Sequence, residues 1–288
     1  MHTTKWQQML SVVNQHPNLS QFNPTRQFKH MALQRMFAEN ILVFFLQYIG
    51  LMFTTLTPQP MPIWFASGTA CGFIFLRGYS VLPGIWLGSL LAYHLASHQS
   101  ILALTSASLL TLQACLLLWL NYRYISPTLL FPARSTLGKF IFASGLVTAL
   151  SSYLLAQFCH SPHWLTWWLA NWNGILVLGC ALVMLDSYFP QIDYLKKLDR
   201  RKLITSYTSI FAFVIGFIIT SSRWLPFATV PIIIWLRKYY GQCGAMAGVF
   251  LFSFCISLAI NLGSQVHLQT LLIIQVIIAV EAILSLCS

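Results

Sequence analysis

His94 and His98 stand four residues apart, and ring nitrogens at that spacing can share a metal ion. His160, His163 and His267, with Cys159 alongside, fall in other short polar loops, and a group of that kind can also respond to pH. Histidines are common in such turns, and neither a metal site nor a cofactor is expected here. Acids are scarce: Glu39, Glu281 and three aspartates (Asp186, Asp193, Asp199) make up the whole supply. Glu281 sits in the last apolar run. An acid inside a membrane is a functional candidate by default, though its place near the end of that run puts water or an arginine within reach. Asn171 and Asn173 precede Gly174 in another apolar run, where buried amides must find partners. They serve there as glue between helices or face a ligand. The chain has no phosphate-binding glycine loop, no H-E-x-x-H and no G-x-S-x-G elbow. No enzymatic activity is expected.

The elements that must position these residues follow from composition. The 288 residues are 57% hydrophobic and 7% charged, with a mean hydropathy of +0.71. Soluble domains carry about 25% charged residues, and runs such as "ILVFFLQYIGLMF" lack the alternation of a membrane barrel strand. The fold class expected is an all-α polytopic transmembrane bundle. Ten segments are predicted: 40–57, 62–77, 81–97, 101–122, 138–158, 164–186, 203–221, 224–237, 242–262 and 268–287. The second and eighth are short, roughly 20–24 Å against about 30 Å of hydrocarbon. If the second and third form one re-entrant hairpin, the count is eight. Residues 1–38 read as a cytoplasmic basic segment without a cleavable signal peptide, and 39–288 as the membrane domain. Within them, Gln27–Asn40 suits a basic helix lying on the membrane or a polar cap on the first span.

With both termini in the cytoplasm, fifteen of the sixteen Lys and Arg residues fall on the inner side, and only Arg223 falls outside. Such a bias in short loops is the positive-inside pattern. The net charge of +11 therefore reports topology and not nucleic-acid binding. Partners in prospect are the lipid bilayer, with Asp193–Lys202 able to touch anionic lipid, and a homo-oligomer is left open. The outer loops are short and uncharged, and Trp164, Trp167, Trp168 and Trp172 gather at one helix end as an aromatic belt would. Seven scattered cysteines, mostly inside apolar runs, imply no disulfide framework. Gly68 and Gly72, Gly84 and Gly88, and Gly244 and Gly248 are spaced for close helix packing. "IFLRGY" (Ile74–Tyr79) and "IWLRKY" (Ile234–Tyr239) form a faint parallel repeat on the two short segments. Short Gly/Pro-interrupted segments at matching positions point to a binding site in transporter-like folds, so a small-solute transporter or channel is the alternative function.

"PIWFASGTACGFIFLRGYSVLPGIWLGSLLA" resembles the signature of the bacterial membrane-associated sensor domain, MASE type 1, on Trp64, Gly68, Arg77, Pro83, Gly84, Leu87 and Gly88. "WWLANWNGILVLG" (Trp167–Gly179) looks like that family's later Trp-rich helix, and "LPFATVPIIIWLRKYYGQCGAMAG" (Leu225–Gly248) like its Pro-aliphatic-Trp segment. The chain departs from the family at Asn171, where relatives carry an acid, and at Tyr93, where they carry an asparagine. The resemblance implies a sensory domain of the bacterial inner membrane. It directs attention to Trp64, Gly68, Gly84, Asn171, Asn173, Gly174, Pro231 and Trp235 as ligand-facing candidates, with Gly72, Gly88, Gly244 and Gly248 left to packing. Such domains usually precede a diguanylate cyclase, phosphodiesterase or histidine kinase. This sequence ends at Ser288 with its tenth segment, so a separate cytoplasmic kinase or cyclic-dinucleotide partner is expected.

Overall fold

The computed structural model describes residues 33–55, 61–125, 134–188, 200–220, 225–261 and 267–286. Helices are α1 (Leu33–Thr55), α2 (Phe65–Arg77), α3 (Leu82–Ser97), α4 (Ser100–Leu120), α5 (Arg134–Phe158), α6 (Trp164–Gly174), α7 (Cys180–Tyr188), α8 (Arg200–Thr220), α9 (Thr229–Asn261) and α10 (Leu268–Leu286). Among the described residues there is no strand. A wider π turn at Ile175–Gly179 joins α6 to α7 in one rod. Apolar runs become helices because lipid offers no partner for backbone N–H and C=O, and a helix satisfies both within one segment. Among the described residues, seven stretches are long and apolar enough to cross a membrane, by length and composition: Gln34–Phe53, Phe65–Ser97, Ser100–Ile125, Ser135–Phe158, Trp164–Asp186, Pro226–Ile260 and Leu268–Leu286. The expected basic segment lies outside the described residues as far as 32, and from Leu33 the chain is already in α1. Of Asp193–Lys202, only the start of α8 is described.

Two of the seven stretches are folded back on themselves at a glycine. Gly78 follows α2 with φ 68° and ψ −156°, and Gly241 interrupts α9 with φ 67° and ψ −163°. That corner of backbone space is open to glycine alone, because any Cβ there collides with the chain's own carbonyls. Contacts with α1 give the direction of each leg. Arg77 meets Glu39 while Phe65 and Ala66 lie against Gly50, so α2 runs antiparallel to α1. Gly84 lies against Asn40 and Gly88 against Phe44, so α3 runs parallel to it. In α9, Gly244 abuts Tyr240, and Gly248 meets Leu236 and Ile233, which again folds the second leg back along the first. The faint sequence repeat thus has a structural counterpart. The register differs, however: the hinge glycine is one residue after Arg77 but four after Arg237.

Space around Gly241 is open, with nothing within 4 Å of an added Cβ, so its constraint is purely conformational. Gly241→Ala is expected to lower stability by about 1–3 kcal/mol, seen as earlier thermal unfolding in detergent. Gly138→Ala, equally open but within the helical backbone of α5, should be neutral or slightly stabilising. Equal melting of the two variants would contradict the hinge assignment.

The main core is an apolar cluster in which Ile74, Ile175, Leu176, Ile233, Phe252, Ile274 and Ile278 are all buried. Phe37, Phe45, Ile49, Phe142 and Leu146 stand more than half exposed on the outer faces. A belt of that kind has water as an unfavourable neighbour and lipid as a natural one. Every Lys and Arg position among the described residues, from Arg35 and Arg77 to Arg237 and Lys238, lies at the hinge end of the bundle. The opposite end carries the Trp164 turn.

Candidate ligand cavity between α4, α5 and α6

Gln113 on α4 and Asn171 on α6 form a closed amide pair. Gln113 Nε2 donates to Asn171 Oδ1 at 3.0 Å, and Asn171 Nδ2 donates to Gln113 Oε1 at 2.8 Å. Ser151 on α5 joins them: its hydroxyl donates to Gln113 Oε1, and Asn171 Nδ2 reaches Ser151 Oγ at 3.4 Å and Ser152 Oγ at 3.3 Å. Helical geometry makes this meeting possible. Ser106 and Gln113 are seven residues apart on α4, and Trp167 and Asn171 four apart on α6, so each pair shares a face.

These residues line a cavity of about 30 Å³, together with Trp64, Tyr93, Leu109, Leu110 and Leu155. That is room for about one or two waters, or for the tip of a small organic molecule. No charged side chain lines it. The cavity lies in the half of the bundle nearer the Trp164 turn, against the residue that precedes α2. Trp64 donates its backbone N–H to Ala170 O at 2.8 Å, and with Tyr93 it packs on a small core of Leu51, Ala66, Ala92 and Leu110. The cavity wall therefore includes Trp64, the residue that leads into the short hinged leg.

Asn173 belongs to a different network. Two residues along an α-helix turn by about 200°, so Asn171 and Asn173 face opposite ways. Asn173 Nδ2 donates to Pro62 O at 3.1 Å and to Gln275 O at 2.9 Å, while Gln275 Nε2 donates to Met61 O at 2.9 Å and Thr166 O at 3.0 Å. Both side chains are buried, and their oxygens Oδ1 and Oε1 have no partner. This amide clamp holds the non-helical stretch before α2 against α6 and α10.

Of the ligand-facing candidates, only Trp64 and Asn171 reach the cavity. Gly68 and Gly174 face each other where α2 crosses α6, and Gly84 lies against Asn40 of α1, so all three serve close packing. Pro231 is exposed, and Trp235 is half-buried against Tyr239 and Tyr240 on α9, away from the cavity. Gly72 faces Leu182 of α7, Gly88 faces α1, and Gly244 and Gly248 face the first leg of α9. Glu281 is buried, and its Oε1 lies 2.5 Å from the Thr229 hydroxyl at the start of α9, so it does not reach water. Arg237 donates to Leu284 O instead of to this carboxyl.

His98 and His160 owe their positions to helix ends. Both take left-handed backbone (φ 54° and 49°) just past α3 and α5, and His98 N–H closes the last turn on His94 O at 2.9 Å. Among the described residues, no three His, Cys, Asp or Glu side chains gather in a set that could hold a metal.

Sequence reasoning missed Ser106, Gln113, Ser151 and Ser152 in the cavity and Gln275 in the clamp. The signal was present for the two glutamines: each is the lone amide in an apolar run, "SLLTLQACLLLWL" and "TLLIIQVIIAV". The chain matches no protein-family model, no curated protein and no solved structure.

Proposed function

We propose that this chain is an integral membrane sensory protein of the bacterial cytoplasmic membrane, non-enzymatic, acting through a separate cytoplasmic kinase or cyclic-dinucleotide partner. The observation that carries the reading is the uncharged polar cavity, built in an apolar bundle and lined by Trp64, the residue that leads into the hinged leg α2. Occupancy there would bias the packing of α2, and through it the hinge at Gly78, by population shift. The resemblance to MASE type 1 domains supports the sensory class. The one-ended basic charge supports placing the hinge end, and so both termini, in the cytoplasm. The two folded-back stretches support counting ten helices, two of them too short to cross unaided.

Filling the cavity should mimic occupancy. In Ser106→Val, hydrogen exchange measured by mass spectrometry on protein in nanodiscs should change in the Gly78–Val81 turn. An unchanged turn alongside a well-folded variant would sink the proposal. A small-solute transporter is the second reading, favoured by the paired glycine hinges. Uptake into vesicles separates the two.

A further inference from the structure

The closed Gln113–Asn171 pair has two edges, each presenting one outward N–H beside one outward carbonyl lone pair. A carboxamide offers two N–H donors and two lone pairs, and the cyclic pair uses one of each from both partners. Ser151 occupies the first edge. Its hydroxyl lies within donating distance of Gln113 Oε1 and of Thr148 O in its own helix (3.1 Å), and it accepts from Asn171 Nδ2 at 3.4 Å, a donor that Ser152 Oγ shares at 3.3 Å. The second edge consists of the remaining Gln113 N–H and the remaining Asn171 Oδ1 lone pair, and neither has a protein partner among the described residues. The hydroxyls of Tyr93 and Ser106, which also line the cavity, make no hydrogen bond among the described residues. No cation or anion stands by to compensate a charge brought in from water.

We propose that the cavity binds a small uncharged molecule bearing adjacent hydrogen-bond donor and acceptor atoms, a primary amide or a hydroxyl compound, on the open edge of the Gln113–Asn171 pair. Ser151 shows on the opposite edge what such a group does. The inference rests on the cavity being the ligand site and adds the chemistry that selects the ligand. A carboxylate would meet the Asn171 oxygen with a like partial charge, and an amidinium would meet the Gln113 N–H with a surplus donor. A neutral group with both a donor and an acceptor, amide or hydroxyl, matches both atoms.

Acetamide, acetate and acetamidinium have the same shape and differ in charge. Full-length protein carrying 5-fluorotryptophan, in nanodiscs at pH 7, is titrated with each, and the Trp64 and Trp167 resonances are assigned from Trp→Phe variants. Acetamide should shift both resonances saturably, with at least about tenfold weaker binding for the two ions. Ser106→Val should abolish the acetamide shift while its other tryptophan resonances stay dispersed. An ion that shifts Trp64 and Trp167 as readily as acetamide overturns the neutral-ligand inference and leaves the cavity as the site. If none of the three moves either resonance, the inference and the cavity reading fail together.

Discussion

Gly174→Ala is expected to be among the most damaging single-methyl changes in this chain. A Cβ on Gly174 would run into the Trp64 carbonyl oxygen and Ser67 Oγ, with the Trp64 carbonyl carbon at 3.1 Å. Across the same crossing, a Cβ on Gly68 would meet Leu178 Cβ at 2.7 Å and the Gly174 carbonyl carbon at 2.9 Å. The obstacles are mostly backbone, which cannot swing aside as a side-chain tip can. The helices would have to part, and two bonds depend on their closeness: Ser67 Oγ to Asn171 O at 2.9 Å and Trp64 N–H to Ala170 O at 2.8 Å. Overpacking alone costs about 1–3 kcal/mol, and each lost bond adds about 1 kcal/mol. The sum, about 3–5 kcal/mol, rivals the net stability of many domains. Gly174→Ala should therefore give little monodisperse protein in detergent, or a melting temperature far below that of Gly138→Ala. Melting within a few degrees of the parent would show that the crossing is looser than described.

That crossing also shows how far a sequence can be read. Gly68 and Gly174 were visible as small residues in apolar helices, but their opposition was not. Spacing along one chain says which residues share a face, whereas a pairing between faces depends on where two distant helices cross. Most helix ends were legible because loop residues, prolines and charges interrupt apolar runs, whereas the polar first turns of α1, from Leu33, and of α5, from Arg134, extend beyond the apolar runs that begin at 40 and 138. The hinges were half legible: "LRGY" displays its glycine beside the arginine, while Gly241 sits three residues further along than the repeat of words suggests. The cavity was the least legible part. Serines in helices usually bond their own backbone, as Ser89 does to Ile85 O at 2.7 Å, so nothing in sequence sets Ser151 apart from its neighbours. The spacing of His94 and His98 is ambiguous for a related reason. A one-turn spacing suits metal ligation, but it also suits a helix that closes on the residue just past its end.

Gln275→Leu should be the most damaging polar-to-apolar change, and for a different reason. Leucine approximates the volume of glutamine and suits an apolar helix, so α10 itself should remain helical. What is lost is the cover on two buried backbone oxygens, Met61 O and Thr166 O, which the Gln275 amide satisfies at 2.9 and 3.0 Å. A buried acceptor stripped of its partner costs about 1–3 kcal/mol. Measured interhelical bonds in membranes average only about 0.6 kcal/mol, because a released group often finds another partner. Here the Met61 carbonyl lies in a non-helical stretch held between α6 and α10, where replacement donors are few, so a total of about 2–4 kcal/mol is expected. Asn173→Leu should cost a similar amount through Pro62 O and Gln275 O. Because both amides grip the same short stretch, their effects should not add. The double variant should lose less than the sum of the singles by about 0.5–3 kcal/mol. Thermal unfolding of the four proteins measures the cycle, and hydrogen exchange at residues 61–64 reports whether the stretch has come loose. Strict additivity, with exchange unchanged at the start of α2, would mean that the two amides act separately and that the clamp does not hold the hinged leg.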